Sequence, residues 1–293
     1  MQTKFPEKWI AYLLLAPSVL IVIIFLIVPS VQSIHLSFYR ISPFGDRRIF
    51  KGLENFATLF RSADYRNSLK VTIIFTLSVV IVGIFLSLLL AIAANQKIKG
   101  IGFYRTALIW PYALSPAVAG TIWAMLFDPA TGAASFVMKE LTGLTPSWRT
   151  NGTVAIILII AAATWKMIGY NVIFFLSGLQ GIQYDIIEAS HIDGAGALGR
   201  FWHITVPLIS PMTFFLFIMN SLYAFFEVFG LIDIMTQGGP ARATELLVYS
   251  LYLDGFRNLR TGYAAAQSII LFVFVAALTL LQFRFSKKWV FYQ

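Results

Sequence analysis

Six stretches of this chain are each long and apolar enough to cross a bilayer, and nothing else in the sequence restricts the fold as strongly. A helix needs about 20 mainly apolar residues to traverse the hydrocarbon. The runs at about 10–32, 70–94, 105–127, 153–178, 207–233 and 263–283 all reach that length. They lack the period-two alternation of a barrel strand. A helix also satisfies its own backbone hydrogen bonds where no water can. The expectation is an all-α polytopic membrane protein with six transmembrane helices in one domain over residues 1–293. Charged residues make up only 12% of the chain, about half the ~25% usual for soluble domains, so the bilayer is its natural solvent.

The formal charge is +9. In a soluble protein this would raise the question of nucleic acid. Here the basic residues fall between the apolar runs without interleaved aromatics, so the partner is membrane lipid and not nucleic acid. There is no cysteine, which removes disulfides and thiolate sites. His35, His191 and His203 lack metal-ligand spacing, so no metal site is expected. The first run follows Lys4 and Lys8 as a signal peptide would, but it is too long and lacks an A-x-A site. It reads as a retained span.

An even number of spans puts both termini on one side. Lys4 and Lys8 precede the first run, and Arg284, Lys287 and Lys288 follow the last, which places both ends in the cytoplasm. Whole-loop counting does not settle the matter, because the loop near 33–69 carries Arg40, Arg47, Arg48, Lys51, Arg61 and Arg66. In that loop Leu53, Phe56, Leu59 and Phe60 stand at helical spacing and predict an amphipathic surface helix. Pro111 and Pro116 in the third run remove amide donors and predict a kink or break.

The loop at about 179–206 is the least apolar interruption. Asp185 to about Ile192 can form a short helix, ended at Asp193-Gly194 by a left-handed glycine. A second short helix from about Ala197 to Thr205 would then run into Pro207 as the first turn of the next span. Helix, sharp turn and helix make a compact projection suited to docking.

This stretch carries a resemblance. E-A-S-x-x-D-G-A at Glu188–Ala195, followed after eight residues by I-x-V-P at Ile204–Pro207, is similar to the cytoplasmic signature of permease subunits of binding-protein-dependent ABC importers. The family form is E-A-A-x-x-D-G-A-x8-I-x-L-P, with mild departures here at Ser190 and Val206. "GLENF", "WPYALSPAVAGTIWAMLFDPATG" and "TQGGPARATELLVYSLYLDGF" resemble segments of the carbohydrate-type permeases, so nearly the whole chain is covered.

The resemblance implies an ABC importer type I transmembrane domain in a bacterial inner membrane. The partners implied are a second permease subunit, two ATPase subunits and a periplasmic or lipid-anchored substrate-binding protein. It implies that Glu188, Ala189, Ser190, Asp193, Gly194, Ala195, Ile204 and Pro207 form the ATPase-coupling loop. Glu188 would pair with a basic residue of the ATPase, Ala189 and Ser190 would allow close approach, and Asp193-Gly194 would set the turn. Gly238, Gly239, Pro240 and Arg242 would meet the binding protein. The cargo implied is a small polyol phosphate, sn-glycerol 3-phosphate first, with a neutral sugar or disaccharide as the alternative. The chain itself contains no G-x-x-x-x-G-K-[S/T] loop, so it cannot cradle a nucleotide phosphate in that way. It is expected to be non-catalytic, with no cofactor of its own and with ATP and Mg bound by the partner ATPase. A self-sufficient secondary transporter would usually carry an internal repeat, and none is evident.

Ionisable groups inside a membrane mark function or a structural partner. Lys166 lies near the middle of the fourth run and Glu227 on the fifth, separated in depth by roughly 10 Å at the rise of a helix. Either they pair, or Lys166 faces the transport path. Tyr170, Asn171, Asn220 and Tyr223 lie at similar depth and can touch substrate or bond neighbouring helices.

Overall fold

The computed structural model describes residues 8–43, 45–96 and 99–289. Lys4, one of the flanking cations, lies outside the described residues. The chain divides into two compact units, residues 1–62 with 251–273 and residues 63–250 with 274–293.

In the first unit a 29-residue helix, Trp9–Ser37, is apolar and exposed over most of its length, with Ser37 buried at its end. It contains a wide π turn at Ile23–Ile27, just before Pro29. A proline lacks the amide and crowds the carbonyl four residues back, here Phe25. The widened turn absorbs that defect without breaking the helix. The chain then forms a short hairpin, Tyr39–Ile41 against Arg48–Phe50, with Arg40 opposite Ile49. The sequence did not announce this hairpin. The helix Glu54–Arg61 follows. Asn55 Nδ2 fastens it by donating to the carbonyls of Ser37 at 2.8 Å and Tyr39 at 3.0 Å. Of the predicted apolar face, Leu59 is buried and Phe56 packs 5.9 Å from Phe38, while Leu53 and Phe60 are exposed.

The second unit is built on Ala63–Ala94 and Gly152–Gln180, which share the most extensive helix–helix contact in the chain. Ala91, Ala94, Val172, Phe175, Leu176, Ile209 and Leu216 form a buried apolar core between them and the following helices. The third apolar run is broken, with Ile101–Ala113 and Pro116–Leu126 meeting at 104°. Leu114 and Ser115 are extended, and Ser115 Oγ caps the second half by accepting from Val118 N at 3.3 Å. Two prolines with an N-cap serine between them break the helix instead of kinking it. The second half packs on Phe229–Met235, where Gly120 and Gly230 leave room for backbone contact. A Cβ on Gly120 would lie 3.2 Å from Leu231 O, and one on Gly230 3.1 Å from Ala117 N. Small residues permit this kind of approach between helices in lipid.

The fifth run is also bent, by 65° between Ala197–Leu208 and Ser210–Glu227. The expected role of Pro207 therefore needs correction. The short helix continues through Pro207 to Leu208, and the next helix opens with Ser210-Pro211. A π turn at Phe201–Thr205 precedes Pro207, repeating the device seen before Pro29. Among the described residues four helices have the length and composition of a span, or six if each bent pair is counted as one.

Candidate functional site

The projection begins with the helix Tyr184–Ile192. Gly194 ends it at φ +75°. The orphan carbonyls are met by Asp193 N on Ala189 O at 3.0 Å, Gly194 N on His191 O at 3.1 Å and Ala195 N on Ser190 O at 3.0 Å. This is the left-handed glycine cap expected of Asp193-Gly194. Arg200 locks the second helix to the first, with Nη1 donating to Ala195 O at 2.6 Å and lying 3.3 Å from His191 Nδ1.

Glu188 and Ala189 are exposed on this projection, and Glu188 has no ion-pair partner among the described residues. Ser190 is a correction to the close-approach role assigned to it with Ala189. It is 5% exposed, and its hydroxyl donates to Ile187 O at 2.6 Å, so it faces the projection's own interior. Ile204 and Pro207 are half-buried along the second arm. The sequence reading passed over Ile192, Leu198 and Trp202, which are exposed beside the signature residues. Large apolar side chains in an otherwise polar loop were the available signal.

A polar cluster lies inside the same unit. Lys166 is 5% exposed. Its ammonium sits 5.2 Å from the ring centre of Tyr112 and 5.7 Å from that of Tyr223, and donates a long 3.5 Å bond to Tyr112 O. That carbonyl belongs to the turn just before the break in the third run. Tyr112 was missed because the sequence separates it from Lys166; the break at Pro111 and Pro116 was the clue. Tyr170 stands 5.0 Å from Tyr112, centre to centre. Tyr223 is buried, and its hydroxyl has no hydrogen-bond partner among the described residues. Tyr223 and Glu227 bound a π turn, a feature frequent at functional sites.

The anticipated Lys166–Glu227 ion pair is not formed. Lys166 is drawn to the Tyr112 carbonyl and two aromatic faces, while Glu227 is exposed on its own helix. Asn171 and Asn220 do not line open space in this conformation. Both are fully buried and bond each other, Nδ2 to Oδ1 at 3.1 Å and 2.8 Å. Asn220 Nδ2 also donates to Leu216 O at 2.7 Å. They join two helices, the alternative open to polar residues in lipid.

The third group lies on the loop after Met235. Gln237, Gly238, Ala241 and Arg242 all have positive φ. Thr244 stitches the loop, its Oγ1 donating to Gly239 O at 2.7 Å. Arg242 is half-exposed and tied to Asp64 and to Glu245, the latter at 3.2 Å. Asn67 Nδ2 donates to Arg242 O at 3.1 Å and Ser68 Oγ to Glu245 Oε1 at 3.3 Å. Burial pushes the Glu245 carboxyl above its ordinary value, and Arg242 opposes the shift. The Arg242 charge thus holds the loop to the start of Ala63–Ala94. Gly239 and Pro240 line a cavity of about 330 Å³ with Trp148 and Arg149, while Gly238 is buried. Nearby, the backbone N–H groups of Ala130 and Thr131 hold the Asp128 carboxyl below its ordinary value, helped by Arg149 at 2.6 Å. Among the described residues no group of three His, Asp or Glu side chains is placed to hold a metal ion.

Helices long and apolar enough to span a membrane, two of them broken, together with buried polar groups and an exposed two-helix projection, define a polytopic membrane protein. Residues 56–290 match the family described as "Binding-protein-dependent transport system inner membrane component", and the chain belongs to that family. Among its relatives, the sn-glycerol-3-phosphate transport system permease protein UgpA of Rhizobium meliloti (strain 1021) is 48% identical over 98% of both chains. The protein of the same description from Yersinia pestis is 42% identical over 99% of this chain and 98% of its own. A bacterial ABC transporter involved in the import of the acidic polysaccharide alginate shares the fold, with a TM-score of 0.81 over 96% of each chain at 21% identity. The bacterial alginate ABC transporter in complex with an alginate pentasaccharide-bound periplasmic protein gives 0.82 over 96% of this chain and 95% of that one, at 22% identity. The chain is therefore a multi-pass inner membrane component of a binding-protein-dependent transport system.

Proposed function

We propose that this chain is the permease subunit of an ATP-driven importer whose cargo is sn-glycerol 3-phosphate. The observation that carries the cargo is the full-length 48% identity to a permease of that description. In this reading the chain pairs with a second permease, stands on two ATPase subunits and receives cargo from a periplasmic binding protein, with both of its termini in the cytoplasm. The ATPases hold ATP and Mg, and this chain contributes no catalytic group.

The projection is the lever. Glu188 meets a basic residue of the ATPase, Ala189 lets the surfaces close, and the Gly194 cap and Arg200 bridge make the two arms move as one body. Exposed Ile192, Leu198 and Trp202 supply apolar area for the contact, and Ile204 and Pro207 carry the motion toward the bend at Ile209.

The substrate path runs past Lys166, Tyr170 and Tyr223, with Glu227 at its edge. Lys166 has three donors and only one long bond, so it can meet a phosphate oxygen without losing a strong partner. Gly238, Gly239 and Pro240 present the loop that the binding protein touches, and Arg242 holds that loop in shape.

The test is uptake of labelled sn-glycerol 3-phosphate by the whole importer in proteoliposomes, with a neutral disaccharide as competitor. Accumulation that depends on ATP and the binding protein, and that the disaccharide does not reduce, is expected. Preferential uptake of the disaccharide would replace the cargo assignment.

A further inference from the structure

The unit formed by residues 1–62 and 251–273 contains a cavity of about 510 Å³ that serves neither the projection nor the polar cluster. Its walls include Arg40, Arg47, Arg260, Glu54, Asn258 and Tyr263. The charges on these walls are not balanced. Glu54 is paired with Lys51 at 3.1 Å. Arg260 is paired with Asp254 at 3.4 Å and lies 4.2 Å above the Tyr263 ring. Asp46 accepts from the Ser42 hydroxyl. Arg40 and Arg47 have no acidic partner among the described residues. Two guanidiniums therefore share a pocket with no anion assigned to them.

The position of the pocket narrows the choice of anion. The apolar helix Trp9–Ser37 ends two residues before the hairpin, and the last apolar helix opens at Thr261. Gly262 sits so close to the Tyr39 carbonyl that a Cβ there would overlap it, so the ends of both apolar helices lie beside this cavity. Ile49, opposite Arg40, and its neighbours Phe50 and Leu53 are exposed. Guanidiniums beside an exposed apolar shoulder, at the level where two spans leave the hydrocarbon, match a phosphate carried at the lipid boundary. The planar guanidinium fork suits phosphate oxygens through two parallel bonds, and the volume admits a headgroup.

We propose that this cavity binds a phosphate mono- or diester through Arg40 and Arg47, carried either on the headgroup of an anionic phospholipid or on a small soluble phosphate. The site does not depend on the identity of the transported cargo.

The experiment reads phenylglyoxal labelling of Arg40 and Arg47 by peptide mass spectrometry, using the whole importer in nanodiscs. Arg48, exposed on the same hairpin and outside the cavity wall, is the internal control. Discs of phosphatidylcholine with phosphatidylglycerol test the lipid source. Discs of phosphatidylcholine alone, whose phosphodiester is balanced by its own choline cation, are the baseline, and the same discs with inorganic phosphate added test the soluble source. Charge-assisted bonds of this kind give about tenfold slower labelling in whichever arm supplies the ligand, with Arg48 unchanged. Equal labelling in all arms, or equal protection of Arg48, overturns the proposal. Native mass spectrometry of an Arg40→Gln/Arg47→Gln importer adds a second readout if the lipid arm is positive. Undiminished retention of phosphatidylglycerol by that variant overturns the lipid source.

Discussion

The projection from Tyr184 to Leu208 turns its chemistry outward, whereas the cluster around Lys166 folds its chemistry inward. In the projection, Glu188 and Ala189 are presented to solvent on a helix whose end is fixed by Gly194 and whose arms are joined by Arg200. Around Lys166 the same unit draws groups from three separate helices onto one buried ammonium, with Tyr223 buried beside it and Tyr112 on the exposed side. An exposed docking element needs only a rigid local shape, so neighbours in sequence can build it. A buried polar site needs partners across the bundle, because an unpaired polar group in an apolar interior costs several kcal/mol, about 4–8 for transfer to a solvent that cannot hydrogen-bond. Damage to the projection should therefore uncouple transport for any cargo, and damage to the cluster should depend on the cargo.

The largest effect is expected at Glu188. Glu188→Lys places a cation where an ATPase cation is proposed, and replacing one partner of an interfacial charge pair costs about 2–5 kcal/mol or more. Uptake should fall roughly 100-fold or further, while the complex still assembles on size exclusion and still hydrolyses ATP at a basal rate. Uptake at the native rate in a fully assembled Glu188→Lys importer would remove the contrast between the two regions.

Lys166→Gln is expected next in size. It should raise the KM for sn-glycerol 3-phosphate about tenfold through loss of one charge-assisted bond. The ATPase rate stimulated by the binding protein should change little. An unaltered KM would leave Lys166 as a cap on the Tyr112 carbonyl alone.

Asn171→Ala leaves Asn220 buried with a broken reciprocal bond and should destabilise the bundle by about 1–3 kcal/mol, read as a lower midpoint of unfolding in detergent. Asn171→Leu with Asn220→Leu should recover much of that loss, because removing both partners removes the unmet polar group. A further loss in the double variant would show that the pair does more than join two helices.

The smallest effect concerns acid. The Asp128 carboxyl titrates below its ordinary value in the fold. Its stabilisation is therefore fully present above the ordinary carboxylate range and is lost as pH falls through the lowered folded value. Hydrogen exchange in the segment from Asp128 to Arg149 should quicken over that window, and Asp128→Asn should make the segment insensitive to it. Equal pH sensitivity in Asp128→Asn would assign the effect elsewhere.

The sequence made the outline legible and hid the assembled contacts, for physical reasons. The apolar runs are visible because bilayer thickness sets their length. The break near Pro111 and Pro116 and the cap at Asp193-Gly194 are visible because proline and glycine act locally. The hairpin at Tyr39–Phe50 is hidden because three-residue strands leave no periodic pattern. The continuation of the helix through Pro207 is hidden because the π turn Phe201–Thr205 just upstream absorbs the defect. The Asn171–Asn220 bond and the approach of Tyr112 to Lys166 are hidden for another reason: depth along a helix can be counted, but the direction a side chain faces is set by packing against helices far away in sequence. The engagement of Arg242 with Asp64 and Glu245 is hidden in the same way, because it needs the start of Ala63–Ala94 to lie beside the loop.

The most direct test compares two proteoliposome preparations, one holding this chain alone and one holding it with its partner permease, ATPases and binding protein. Solute uptake is followed in each with ATP and with an imposed ion gradient. The account predicts accumulation only in the complete assembly and only with ATP. Accumulation by the isolated chain under either driving force would contradict it.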